Sequence, residues 1–302
     1  MKIAAIQHDI VWKDAAATHD HVDPLIELAA RSGASLIVLS EMFSTGFSTV
    51  AADIAQAEDG PTTEFVRQRA ASHGVWITGS IAVVDGATGE ARNRFTGAGP
   101  DGQLVTYDKR HPFTYAGEHL EFVPGDDLVS FEVEGLRVTP FVCYDLRFAD
   151  DFWARGPDTD LFLVVANWPA ARRRHWSSLL VARAIENQCF VAGVNRVGTA
   201  DGLDYTGDSA IIDPLGEVLV SAAGVETVLV ADVDAGVAGA GERRVDEREG
   251  AERDAEQRAD PDRHHADQQT AAGTDQHPAG DVLAEPVGAQ RHVGVLDEGA
   301  DL

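Results

Sequence analysis

Two patterns of apolar and polar positions alternate along residues 1–234 of the chain. The first is a short continuous apolar run, rich in β-branched residues: Ser35-Leu-Ile-Val-Leu39, Val75-Trp-Ile-Thr-Gly-Ser-Ile-Ala-Val-Val84, Asp160-Leu-Phe-Leu-Val-Val-Ala166 and Cys189-Phe-Val-Ala-Gly-Val194. Runs of this length and composition predict strands covered on both faces. The second is a longer stretch with helical spacing. Residues 19–31 carry Val22, Leu25, Ile26, Leu28 and Ala29 on one side, with Gly33 just past the end. Pro61 opens a helix over 61–73 at its favoured first position. Further helices are predicted around 148–154 and over 176–187, the latter with Leu179, Leu180, Ala184 and Ile185 on its apolar side.

Shorter strands fill the remaining intervals: 2–7, an arm at 93–96 within a turn-rich stretch, 104–107, then 129–133 and 137–142 around a Glu134-Gly135 turn. A hairpin is predicted from 205–212 and 216–220, and 228–233 closes the series. Such alternation predicts an α/β fold, with helices on the faces of mixed sheets and reactive residues at the C-terminal ends of strands.

Beyond residue 234 the pattern stops. Residues 235–302 contain no Phe, Trp or Tyr, and their apolar residues are scattered singly among Ala, Gly, Asp, Glu, Arg, Gln and His. A segment of this kind buries too little apolar surface to offset the entropy of ordering it. The expected organisation is therefore one domain over 1–234 and an acidic, low-complexity, disordered tail over 235–302, with weak helicity around 242–258.

Composition narrows the functional classes. A net charge of −26 on 302 residues argues against nucleic-acid and anionic-membrane partners. No stretch has the apolar length of a membrane span, and the first residues read as a strand rather than a signal peptide. Cys143 and Cys189 are the only cysteines, so a disulfide framework is excluded and a reducing cytoplasm is expected.

Three strand ends carry chemistry. Cys143 stands where the run 136–142 should stop, before Asp145-Leu-Arg-Phe148, which reads as the start of a helix. A thiol beside a helix N-terminus is favoured as thiolate, which would make Cys143 a nucleophile; a buried structural cysteine is the competing reading. Glu41 follows Leu39 among Met42, Phe43 and Phe47, a setting suited to a general base. Lys109 follows Tyr107 and is one of only three lysines, with Lys2 and Lys13. Its retention beside Arg110 suggests a compact charge that arginine cannot replace. Base, cation and thiol together would form a nucleophile site with an electrostatic stabiliser. Cys189, inside an apolar strand, reads as core. No His, Cys and carboxylate set has metal spacing and no phosphate-binding glycine motif occurs, so neither a metal nor a cofactor is expected.

The blocks Leu39-Ser-Glu-Met-Phe-Ser-Thr-Gly-Phe47, Tyr107-Asp-Lys-Arg-His-Pro-Phe113 and Phe141-Val-Cys-Tyr-Asp-Leu-Arg-Phe148 resemble the signature blocks of the nitrilase superfamily of carbon–nitrogen hydrolases. The resemblance covers roughly residues 1–234 and implies a four-layer α-β-β-α sandwich, a Glu41–Lys109–Cys143 catalytic set and a homodimer. The family's second glutamate falls on Glu118, six positions before Pro124-Gly125, with Glu121 the competing choice. The backbone N–H of Tyr144 would join Lys109 at the oxyanion. Ser40 departs from the proline usual before the first glutamate.

The stretches Asn167-Trp-Pro-Ala-Ala-Arg-Arg-Arg-His-Trp176 and Ala182-Arg-Ala-Ile-Glu-Asn-Gln188 are most similar to the omega-amidase branch. That branch implies hydrolysis of the terminal amide of a small 2-oxo acid monoamide, such as 2-oxoglutaramate, through a cysteine thioester. Arg147, one helical turn after Cys143, is the candidate for a substrate-facing cation, with an internal ion pair to Asp145 or Glu186 as the alternative. Arg172, Arg173 and Arg174 are further candidates; Trp168 would form a pocket wall or pack in the core, and Glu186 and Asn187 would brace the fold. Competing functional readings are an amidase for another small amide, a Cys–His hydrolase using His111 or His175, and a catalytically silent binding protein. Relatives continue past the last strand with an aromatic- and proline-bearing segment absent here, so 235–302 reads either as the product of a frameshift near codons 234–242 or as a native acidic extension.

Overall fold

Strands covered on both faces pair in parallel at the centre of the protein, and the ladders extend outward from them. In a computed structural model, residues 1–234 are described; the readings of the tail over 235–302 lie outside the described residues. The first half of the chain gives β1 (Lys2–Gln7), α1 (Ala15–Arg31), β2 (Leu36–Val38), α2 (Ala51–Ile54) and β3 (Gln56–Ala57). It continues with α3 (Pro61–His73), β4 (Trp76–Val84), β5 (Ala91–Ala98) and β6 (Leu104–Asp108). The second half gives β7 (Phe131–Val133), β8 (Leu136–Val142), α4 (Ala149–Arg155), β9 (Leu161–Ala166), α5 (Arg173–Asn187) and β10 (Phe190–Asn195). It ends with β11 (Val197–Ala200), β12 (Leu203–Ile212), β13 (Val218–Ala223) and β14 (Thr227–Asp232).

Among the described residues these strands form two sheets. One runs β14-β1-β2-β4-β5-β6 with β3 beside β4; the other runs β11-β12-β10-β9-β8-β7 with β13 beside β12. The parallel pairs are β1–β2, β2–β4 and the short β3–β4 in the first sheet, and β8–β9 and β9–β10 in the second. The last strand returns to the first sheet, pairing antiparallel with β1 from Lys2↔Asp232 to Gln7↔Thr227.

The alternation of side chains along a strand explains the layering. From β1, Ile3 and Ala5 join the core between the sheets with Val38, Phe95, Val138 and Leu163. Ala4 and Ile6 face the other way, onto Val22, Ile26 and Ala29 of α1 and Val66 and Ala70 of α3. On the second sheet, Trp176, Leu180 and Ala184 of α5 and Phe152 of α4 supply the outer layer. Each fully buried side chain of this size is worth about 1.5–3 kcal/mol over an exposed one. The result is the expected α-β-β-α sandwich.

Several boundaries differ from the sequence expectation, each for a local reason. Helix α1 begins at Ala15 because Asp14 caps it, accepting from Ala17 N at 3.0 Å, and Pro24 sits inside without ending it. Helix α5 begins at Arg173, ahead of its first buried residue Trp176. The β13 arm spans Val218–Ala223, and α2, β3 and β11 are too short to leave a periodic pattern. The helix expected to run on from Asp145 is instead a five-residue 3-10 turn, Cys143–Arg147, separated from α4 by Phe148.

One close approach fixes the end of β6. Gly125 donates its N–H to Lys109 O at 3.0 Å, and a Cβ there would lie 2.4 Å from Asp108 O and 2.7 Å from Asp108 Cβ. Backbone cannot yield as a flexible side chain can. Gly125→Ala should destabilise the protein by about 1–3 kcal/mol, read from urea unfolding midpoints.

Candidate active site

Loops at the C-terminal ends of strands bring the site together. After β2 the chain turns sharply: Met42 takes φ +38°, and the turn is pinned by Leu39 N to Thr78 O at 2.7 Å and Met42 N to Ser80 Oγ at 2.8 Å. This leaves Glu41 fully buried. Lys109 follows β6 and is buried too, its backbone N–H donating to Asn93 O at 2.9 Å. Glu118 sits in a 3-10 turn (Glu118–Leu120), buried, and receives Phe113 N at 2.5 Å. Glu121, its competitor in sequence, is exposed.

The Lys109 ammonium joins the two carboxylates. Nζ donates to Glu41 Oε1 at 2.9 Å and to Glu118 Oε2 at 2.8 Å, with Glu118 Oε1 at 3.1 Å. Asn93 Nδ2 bridges the same pair, at 2.8 Å to Glu41 Oε1 and 3.0 Å to Glu118 Oε1. Ser80 Oγ in turn donates to Asn93 Oδ1 at 2.8 Å. From the other sheet, Asn167 N donates to Glu41 Oε2 at 2.8 Å and its Nδ2 to Glu41 O. Asn195 secures the next residue, accepting from Trp168 N at 2.8 Å and donating to Trp168 O at 3.0 Å.

Sequence reasoning gave no role to Ser80, Asn93, Asn167 or Asn195. For two of them a signal existed. Asn167 directly follows the apolar run of β9 and Asn195 ends that of β10, the same placement that singled out Glu41 and Cys143.

Cys143 sits at the strand-to-turn junction with φ +49°, a left-handed conformation that costs a non-glycine residue about 1–3 kcal/mol. Asp145 holds it there, accepting Val142 N at 2.9 Å, Tyr107 OH at 2.8 Å and His111 N at 2.9 Å. These contacts tie the cysteine turn to the strand that carries Lys109.

The protonation pattern corrects one expectation. Burial and the adjacent Glu41 carboxylate push the Cys143 thiol well above its ordinary value, against the opposing pull of Lys109. The resting group is therefore a thiol. The turn behind it is too short a helix to supply a strong dipole, and the buried carboxylates outweigh it. For Lys109, burial alone would lower the pKa, but Glu118 and Glu41 together outweigh it and hold the ammonium well above the lysine range.

Above Cys143 lies a solvent-open cavity. Its walls include Phe47, Phe113, Tyr144, Trp168, Tyr205 and two guanidinium groups, Arg147 and Arg172. Arg147 stacks 5.0 Å from the Trp168 ring and donates to His175 Nδ1 at 3.0 Å. Neither alternative carboxylate is available to it: Asp145 holds the cysteine turn, and Glu186 pairs with Arg183 at 2.5 Å. Arg172 lies 5.2 Å from the Phe113 ring, whereas Arg173 pairs with Asp208. Tyr144 is second in its turn, so its N–H is among the first-turn donors that lack an acceptor within a helix. His111 is tied to Asp151 at 2.7 Å and stacked on Phe148, His119 is exposed, and Cys189 lies in the core.

A profile of the carbon–nitrogen hydrolase family matches residues 2–242. The chain belongs to that family. It is 46% identical over 226 residues to the omega-amidase YafV of Yersinia enterocolitica, covering 74% of this chain and 85% of the relative. It is 34% identical over 238 residues to the 2-oxoglutaramate amidase of Bacillus subtilis, covering 77% and 90%. Among solved structures, the CN-hydrolase superfamily protein XC1258 of Xanthomonas campestris, which carries an arsenic adduct in its active site, superposes with a TM-score of 0.76. The two share 41% identity over 81% of this chain and 94% of that one. An amidase from Nesterenkonia sp., with acrylamide added to its active-site cysteine, superposes with a TM-score of 0.72 at 25% identity, covering 78% of this chain and 94% of that one.

A buried histidine supports the loop that carries Glu41. His8 follows β1 and faces Phe43 O at 3.2 Å and Ile6 O at 3.4 Å, so the neutral ring donates its one N–H to one of these carbonyls. Burial lowers its pKa from 6.5 to about 4. Because the folded value is the lower one, the unfolded chain binds the extra proton, and stability falls as pH drops from about 6.5 to about 4. Over that window His8 alone accounts for about 3 kcal/mol. His8→Gln should therefore narrow the stability difference between pH 7 and pH 4 by about that amount, measured by urea unfolding at the two pH values.

Proposed function

We propose that this chain hydrolyses the terminal amide of a short 2-oxo dicarboxylic acid monoamide, of the 2-oxoglutaramate type, to the acid and ammonia. The observation that carries the reading is the buried Glu41–Lys109–Glu118 cluster beside Cys143, at the foot of a cavity walled by aromatic rings and two arginines. The omega-amidase and 2-oxoglutaramate amidase names of its relatives support the substrate class.

The charges of the cluster dictate the order of events. Two carboxylates and one ammonium leave it with one net negative charge, so releasing the thiol proton to bulk water would add a second charge to a buried site. Passing that proton to Glu41 leaves the total unchanged. Glu41 therefore acts as the base, and the Cys143 sulfur bonds to the amide carbon as the proton moves. The carbonyl oxygen becomes an oxyanion, held by Lys109 Nζ and the Tyr144 N–H.

Glu41 then gives its proton to the amide nitrogen, the C–N bond breaks, and ammonia leaves a thioester on Cys143. Water next attacks the thioester carbon while Glu41 takes its proton. The C–S bond breaks, the sulfur regains a proton from Glu41, and the acid departs. Glu118 positions Lys109 and substrate throughout.

Cys143→Ala should abolish ammonia release, and loss of one oxyanion donor should lower kcat by about 100- to 1,000-fold. In a panel of 2-oxoglutaramate, glutamine and an aliphatic nitrile, the 2-oxo amide should be preferred. Preference for the nitrile, or substantial turnover by Cys143→Ala, would sink the reading. Arg147 and Arg172 would hold the carboxylate far from the amide, with Trp168 bracing Arg147. Arg147→Leu should raise KM for 2-oxoglutaramate by roughly tenfold or more while leaving an uncharged amide little affected, as steady-state kinetics would report.

The reading extends to a homodimer in a reducing cytoplasm. Exposed Ile185 beside the Gly216 turn, with exposed Leu215 and Val218, supports pairing through the α5 side of the second sheet. Both cysteines are unbridged, and no described helix is long and apolar enough to cross a membrane.

A further inference from the structure

Asn167 lines the cavity with Cys143 and is only 5% exposed, yet its Oδ1 has no hydrogen-bond partner in the protein. Leaving a buried amide oxygen unpaired is costly, so such an atom calls for an explanation. The orientation of the side chain is not arbitrary. Its Nδ2 donates to Glu41 O, a carbonyl that can only accept, which fixes nitrogen on that side and oxygen on the other. The backbone N–H of the same residue donates to Glu41 Oε2 at 2.8 Å, so the whole residue is registered on Glu41. An acceptor is thus held in the cavity wall, next to the carboxylate that delivers a proton to the leaving group.

We infer that Asn167 Oδ1 accepts an N–H of the substrate's carboxamide, and that this contact makes the site select amides over esters and nitriles. The inference rests on the amidase reading above. A carboxamide carries two N–H groups, and an acceptor beside Glu41 takes one of them while the carbonyl oxygen faces Lys109 and Tyr144. The nitrogen lone pair is left to receive the proton from Glu41 as the C–N bond breaks. An ester or a nitrile offers no N–H, so binding either one buries Oδ1 without a partner. The same logic lets a site built to bond a substrate N–H reject the analogue that lacks it.

The test compares 2-oxoglutaramate with the 5-methyl ester of 2-oxoglutarate, which differs at the leaving group alone. The readout is kcat/KM, which reports acylation, the step in which the leaving group is still attached. In Asn167→Ala, kcat/KM for the amide should fall about 10- to 100-fold further than for the ester. Asn167→Asp keeps an acceptor oxygen but loses the donor to Glu41 O. Both substrates should then slow, while the amide-to-ester ratio stays near that of the parent enzyme. If Asn167 acted only by bracing Glu41, both substrates would fall together in Asn167→Ala, and that result overturns the inference while leaving the amidase reading intact. A parent enzyme that cleaves the ester but releases no ammonia from the amide would overturn the amidase reading and the Asn167 assignment with it.

Discussion

The site depends on one ammonium group. Lys109 is enclosed between Glu41 and Glu118, all three out of water. Each of these charges alone would be expelled from such a place, and only mutual neutralisation together with a full set of hydrogen bonds keeps them there. Lysine suits the position because a compact ammonium can donate to two carboxylates on different sides, whereas a planar guanidinium would pair with one of them edge-on. Burial, together with the Glu41 carboxylate that Lys109 only partly offsets, keeps Cys143 protonated at rest. In the proposed mechanism the thiol becomes a nucleophile only in concert with proton transfer.

Around the charges stands a layer of neutral amides and a hydroxyl that do what water would do outside. Asn93 spans both carboxylates from the first sheet, Ser80 orients Asn93, and Asn167 reaches Glu41 from the second sheet with Asn195 fixing the residue beside it. Neutral groups suit this task because they stabilise ionised neighbours without adding a charge that would reset every titration in the cluster. They also convert a sheet-to-sheet packing into a defined catalytic geometry. Glu41 comes from one sheet and the Cys143 thiol from the other, so their separation is set by the sandwich itself.

This division explains what was legible in the sequence. Glu41, Lys109 and Cys143 stood out because each is a reactive residue after an apolar strand, and Glu118 only because the family resemblance puts a glutamate six positions before a Pro-Gly pair. The amides were not read, since an asparagine in or after a strand has many uses and only its partners distinguish them. The charge state of Cys143 was misread for a deeper reason. Local sequence shows the short turn behind the thiol, but the burial that raises its pKa, and the Glu41 carboxylate about a hundred residues away that adds to it, arise only through the packing of the two sheets. The cap at Asp14 and the early start of α5 were missed because helix reading keyed on buried positions, which begin a turn later than the backbone does.

Asp145 shows how far stability yields to geometry here. Burial raises its pKa from 3.8 to about 6. The folded value is the higher one, so the native state binds the extra proton between about 4 and 6, and stability declines as pH rises through that window. Near neutral pH the ionised carboxylate is thus a burden of about 3 kcal/mol, a sizeable share of a typical domain's margin. A neutral side chain would avoid that burden, but it could not accept three donors from two directions. Asparagine would turn an N–H toward either His111 N or the Val142–Tyr107 pair. Only a carboxylate can hold the cysteine turn in its left-handed conformation and, with the same two oxygens, hold the strand end that presents Lys109. Those three hydrogen bonds, and not the charge as such, fix the Cys143 turn against the strand end that carries Lys109.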